Sequence, residues 1–141
     1  MSVVGDGCRR KEFERMIKNA EIDKNVSFTG TIPHDKLPAF IQQHRIGINY
    51  MRPSPVNQCR AILKIREYLA CGLHVICNDV GDVALFSDHI AIASTIDSLF
   101  DSLTSLISQP FRFNQSGRTF IEQNYRWSTI IADLQKRIAT I

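Results

Sequence analysis

At 141 residues the chain is long enough to bury roughly two thirds of the surface its unfolded form would expose, so a real hydrophobic core is expected. Hydrophobic residues at 44%, charged residues at 22%, 7 glycines and 5 prolines exclude a low-complexity or fibrous chain. Seventeen basic against 14 acidic residues give a formal charge of +3, scattered apart from "CRRK" at 8–11; this is too weak for a nucleic-acid footprint, though compatible with an anionic small molecule such as a phosphate ester.

The chain alternates short apolar runs with amphipathic ones. "SVV" at 2–4 predicts a strand ending at the turn "GDG", and "KEFERMIKNA" predicts a helix with Phe13, Met16, Ile17 and Ala20 on one face. "NVSFTG" at 25–30 is a second strand closed by Gly30, and "PHDKLPAFIQQH" follows with Leu37, Phe40 and Ile41 on one stripe. "IGINYM" at 46–51 is a third strand, "RPSPVNQC" a loop with two prolines, and a helix runs from about Ala61 to Cys71, stopped by Gly72. "HVICN" is a fourth strand whose unbroken apolar character suits a strand covered on both faces, and "IAIAS" at 90–94 a weaker fifth. From there the pattern is helical: "TIDSLFDSLTSLI", "RFNQSGRTFIEQNY" and "WSTIIADLQKRIA", the last starting near Ser128 as an N-cap.

Such alternation predicts an α/β fold: a Rossmann-like, doubly wound parallel sheet of about five strands with a helical C-terminal tail, forming one domain over 1–141. Ligands then belong at the carboxyl ends of the strands. The four cysteines, Cys8, Cys59, Cys71 and Cys77, contain no C-x-x-C pair and read as free, buried thiols of a reducing cytosol. No apolar run approaches the roughly 18 residues of a membrane span, and the N-terminus lacks a signal-peptide pattern, so the expectation is a cytoplasmic chain without a transmembrane segment. No residue grouping suggests a metal site.

The helix in "AILKIREYLACGLHVICN" (61–78) sets Lys64 and Glu67 three apart on one face, with Ile62, Ile65 and Leu69 turned toward the sheet. An intrahelical ion pair would contribute about 0.2 to 0.5 kcal/mol. The order is the reverse of the one the helix dipole favours, since the lysine lies nearer the positive end. A ligand supplies another reason. A helix N-terminus at the carboxyl end of the third strand, with a lysine in its first turn, suits phosphate oxygens. One turn deeper, a carboxylate can accept two hydrogen bonds from the vicinal hydroxyls of a ribose. Phosphate at Lys64 and ribose at Glu67 describe a nucleoside diphosphate.

On these residues a resemblance becomes explicit. "ILKIREYLACGLHVICNDVGD" resembles the donor-site segment of family 4 glycosyltransferases of the GT-B fold, whose pattern is a lysine, then E-Y or E-A, a small residue, a glycine and an apolar strand. "VVGDG" resembles the second strand and turn of that family's C-terminal domain, "NVSFTGTIPHDKLPAFI" its third strand and following helix, and "YRWS" its late Trp motif, all in collinear order. The resemblance implies that Glu67 binds ribose and Lys64 contacts the diphosphate. It also implies that the turn Gly30, Thr31, Ile32 offers backbone contacts to the nucleobase, although Gly30 can equally be only a tight turn. Arg60 stands where many members have a second glutamate bearing on the donor sugar, and His74 replaces the usual proline before the apolar strand, a packing or surface position.

The implied function is transfer of a sugar from a nucleoside diphosphate sugar to an acceptor, with a nucleotide sugar as donor substrate and no cofactor. By the same resemblance an N-terminal acceptor domain and the first strand of the C-terminal domain are missing partners of this chain, which would be inactive in transfer by itself. The runs at 2–4 and 46–51 would then flank a gap, closed by pairing with each other or by a strand from another chain, a route to a homo-oligomer through an exposed sheet edge. The alternative from another class is a non-catalytic nucleotide-binding or protein-interaction module, which Arg60 favours. A phosphoacceptor receiver domain is weaker, because Tyr50 and Met51 follow the third strand where it needs an aspartate.

Overall fold

In the computed structural model, which describes residues 1–140, these patterns become five strands, seven α-helices and two 3-10 segments. The chain divides into two compact units, Met1–Ala39 and Phe40 onward.

The first unit contains β1 (Ser2–Val4), α1 (Arg10–Asn19), a 3-10 turn at Asp23–Asn25, β2 (Ser27–Gly30) and the start of α2 (Leu37–Ile41). β1 and β2 pair in parallel, Ser2 opposite Ser27 and Val3 opposite Phe28, with a register shift before Val4 meets Gly30. The two carboxyl ends are tied by a hydrogen bond from the Gly5 amide to the Gly30 carbonyl, 2.9 Å, at backbone angles that only glycine adopts freely: φ is 124° at Gly5 and 70° at Gly30. Arg10 on α1 pairs with Glu14 at 2.8 Å and lies over the Phe28 ring of β2, 5.9 Å from its centroid. None of the residues from Met1 to Ala39 is buried.

The second unit holds β3 (Ile46–Asn49), α3 (Pro55–Gln58), α4 (Leu63–Ala70), β4 (His74–Cys77), a 3-10 segment at Val83–His89, β5 (Ala91–Ile92), α5 (Ile96–Ser108), α6 (Gln115–Asn124) and α7 (Trp127–Ile138). Its strands form a parallel sheet in the order β3–β4–β5, with Ile46 opposite His74 and Ile76 opposite Ala91. Central β4 is covered on both faces, as its apolar run predicts; Val75, Ile76 and Cys77 are all buried. The core gathers Ile62, Ile65, Leu69, Val75, Cys77, Val83, Phe86 and Ile121. Within each of the two sheets the strands run parallel. Among the described residues β1 pairs with β2 in the sheet of the first unit, and β3 pairs with β4 in that of the second.

Local chemistry explains where the elements begin and end. The two-proline stretch is not wholly a loop: Ser54 caps α3 through a hydrogen bond from the Asn57 amide to its Oγ, 3.2 Å, and Pro55 takes the first helical position, where its missing N–H costs nothing. α4 starts at Leu63 because Ile62 is extended. It ends as expected at Gly72, φ 78°, with the Gly72 amide on the Leu69 carbonyl (2.9 Å) and the Leu73 amide on the Tyr68 carbonyl (3.0 Å), the paired bonds of a Schellman motif. Asn114 caps α6, accepting the Gly117 amide on its side chain at 2.9 Å. α7 begins at Trp127, so Ser128 lies inside the helix rather than capping it. Of the cysteines, Cys71 and Cys77 are buried while Cys8 and Cys59 are exposed, correcting the expectation that all four are internal; none forms a disulfide.

Candidate functional site

The carboxyl ends of β3 and β4 are joined by one side chain. Buried Asn78, just past β4, accepts the Met51 amide on Oδ1 at 2.8 Å and donates from Nδ2 to the Met51 carbonyl at 2.6 Å. The segment that follows, 79–82, grips the chain leading into α4. Gly81 (φ 73°) comes so near that an added Cβ would sit 2.5 Å from the Arg60 carbonyl oxygen, and the Asp82 amide donates to that same oxygen at 3.1 Å. Asp82 Oδ1 accepts the amide of Ile62, the residue capping α4, at 2.8 Å, and its Oδ2 pairs with Arg66 on the same helix. The Arg66 guanidinium also donates to the Ile62 carbonyl at 3.1 Å and packs against the rings of Phe86 and Tyr125, 4.9 Å from each centroid.

With its first turn held this way, α4 buries Ile65 and Leu69. Tyr68 lies against β3, filling the space over Gly47 that a side chain there would need. Lys64 and Glu67 share one face, exposed at the lysine and half-buried at the glutamate: Lys64 Nζ is 4.0 Å from Glu67 Oε2, with the side chains 60% and 31% exposed. At that separation and exposure the pair contributes little to stability. The face thus offers an exposed, compact cation in the first turn and a half-buried, acceptor-only carboxylate one turn deeper. Arg60, also exposed, precedes the cap, and its guanidinium makes no ion pair or hydrogen bond among the described residues. Burial raises the Tyr68 hydroxyl and the Cys71 thiol above their ordinary ranges, with the Glu67 carboxylate adding to both, so neither is an ionised nucleophile near neutral pH.

The turn Gly30, Thr31, Ile32 belongs to the first unit, at the carboxyl end of β2. There Gly30 takes the left-handed conformation of a tight turn, Thr31 is exposed and Ile32 half-buried. His74 opens β4 at the opposite end of the sheet from the start of α4; its Nε2 is 2.8 Å from the Arg112 carbonyl, and the ring borders a cleft shared with Asp88, His89 and Asn114. The residue is half-buried. Among the described residues no group of three or more His, Cys, Asp or Glu side chains could hold a metal ion, and no helix is long and apolar enough to cross a membrane.

Three residues that build the site escape sequence reasoning: Arg66, Asn78 and Asp82. Each is polar in an apolar neighbourhood, and each works through contacts 16 to 27 residues away in sequence. Only the Ser-Pro pair at 54–55 carried a local signal, an N-cap followed by a first-turn proline.

The family described as glycosyl transferases group 1 matches residues 1–109. Among solved structures, the chain is similar to a sucrose-phosphate synthase from Thermosynechococcus elongatus, with a TM-score of 0.76 at 17% identity. The likeness covers 99% of this chain and 37% of the synthase, so the chain shares the fold of a little over a third of that protein. No curated protein matches in sequence.

Proposed function

Because the chain belongs to the glycosyl transferases group 1 family, we propose that it is the donor-binding portion of a glycosyltransferase, a C-terminal nucleotide-sugar-binding domain working with an acceptor domain that completes the cleft. The observation that carries this is the Lys64–Glu67 face of α4, which starts at the carboxyl end of β3, where parallel α/β sheets bind ligands. Lys64 holds the diphosphate, Glu67 accepts both ribose hydroxyls, and Arg60 lies beside the donor sugar.

The chemistry asked of this half is electrostatic. Cationic groups hold the leaving diphosphate as charge grows on it, which stabilises the transition state more than the ground state. The acceptor and its proton are handled from the facing domain, since positioning two reactants needs both walls of a cleft. A second reading, a nucleotide-binding module without turnover, is favoured by one feature only, the cation at Arg60 where related enzymes place a carboxylate.

Titration of the isotopically labelled chain with UDP, GDP or ADP, followed by amide NMR, tests the proposal. One of the three should shift the amides of residues 62–68, at the cap and along α4, while the His74 end of the sheet stays still. Shifts confined to other surfaces, or none at millimolar nucleotide, overturn it.

A further inference from the structure

The N-terminus of α4 is not an empty anion site. Its capping amide, at Ile62, is already hydrogen-bonded to the Asp82 carboxylate at 2.8 Å, two residues from Lys64. A carboxylate so placed serves the helix well, because a negative charge complements the positive end of the dipole. It would serve a diphosphate badly, because like charges repel most where water is excluded. Arg66 resolves the conflict. One turn along the same helix, it pairs with Asp82 Oδ2 while both side chains are only 18% exposed, and Phe86 and Tyr125 hold its guanidinium in place.

We infer that Arg66 and Asp82 are positioning residues for the donor diphosphate: Asp82 fixes the first turn that carries Lys64 and Glu67, and Arg66 cancels the charge of Asp82 so that the phosphates are not repelled. Neither touches the nucleotide. The inference rests on the donor-site reading above and adds a requirement that reading lacks, a neutral pair behind the lysine. Gly81 belongs to the same device, since any side chain there would collide with the Arg60 carbonyl and lift the 79–82 segment off the helix start.

The test separates charge from mere packing. Arg66→Met keeps a long side chain between Phe86 and Tyr125 but leaves Asp82 uncompensated, and Asp82→Asn keeps an acceptor for the Ile62 amide but removes the charge. The affinities of wild type, both single variants and the double variant are measured for UDP, GDP and ADP, each beside its own nucleoside. Arg66→Met should weaken the diphosphate about three- to tenfold at low ionic strength and leave the nucleoside unchanged, with the loss shrinking at about 0.5 M salt. Adding Asp82→Asn should restore diphosphate affinity. Hydrogen exchange reads the cap directly: the Ile62 amide should stay protected in Asp82→Asn and lose protection in Asp82→Ala. Equal losses for nucleotide and nucleoside, a double variant weaker than either single one, or a protected Ile62 amide in Asp82→Ala overturns the inference while wild-type binding preserves the donor-site reading. If wild type binds none of the nucleotides, that reading fails and this inference falls with it.

Discussion

Gly47→Ala is a small change that tests how α4 is seated on the sheet. A Cβ at position 47 would lie 2.3 Å from Tyr68 Cδ2, 2.6 Å from Cγ and 2.9 Å from Cε2, well inside contact distance. The backbone of Gly47 is not in the left-handed region, so alanine meets no conformational strain, and the whole effect is overlap with the ring. Tyr68 follows Glu67 on a helix whose Ile65 and Leu69 are fully enclosed, so the ring cannot move without repacking. Overpacking of this kind costs about 1 to 3 kcal/mol. Urea denaturation of Gly47→Ala should show that loss. In a Tyr68→Ala background the same substitution should cost close to nothing, because the obstacle is gone, and the double-mutant cycle would then assign nearly all of the effect to this one contact. A loss under about 0.5 kcal/mol in the parent, or an equal loss in both backgrounds, would refute the close seating of Tyr68 over β3.

Three further outcomes follow from burial. Cys8 and Cys59 should react with a thiol reagent in the folded chain, whereas Cys71 and Cys77 should react only on unfolding; rapid labelling of four thiols in native buffer contradicts the structure. Burial pushes the Cys77 thiol up to about 11, with Asp79 adding to it, and burial also raises Tyr68. A thiol that keeps its proton when folded but loses it near its ordinary value of about 8.5 when unfolded stabilises the fold below that pH, and the contribution is lost as pH climbs toward the folded value. Urea midpoints should therefore fall between about pH 8 and about pH 11, and a flat profile counts against the burial of these groups. Because no residue from Met1 to Ala39 is buried while β4 is enclosed, amides of β1 and β2 should exchange with solvent well before those of β4, and the reverse order would contradict the division of the core.

Much of the fold is legible in the sequence because its signals are local. The unbroken apolar run of β4, the glycine that ends α4 and the helical spacing of α5 need no knowledge of distant residues. Boundaries moved where a remote group decided them: α4 begins at Leu63 because Asp82 takes the Ile62 amide, a contact 20 residues away in sequence. The candidate site was half legible. Lys64 and Glu67 stand out by an order that helix stability does not favour. Their supports, Asn78, Gly81, Asp82 and Arg66, did not, because clamping a backbone or masking a charge leaves no periodic trace. The sequence around Cys8 and Cys59 implies packing that the fold does not provide, and both are exposed.

The most direct measurement is calorimetric titration of UDP, GDP and ADP into wild type and Glu67→Ala. If Glu67 accepts two ribose hydrogen bonds, its removal should cost the preferred nucleotide about 1.5 to 3 kcal/mol, roughly a 10- to 150-fold loss, as for hydrogen bonds to a charged group. The 4.0 Å contact with Lys64, exposed as it is, carries less than about 1 kcal/mol, so folding stability should barely change. Equal nucleotide affinity in wild type and variant would contradict the donor site at α4.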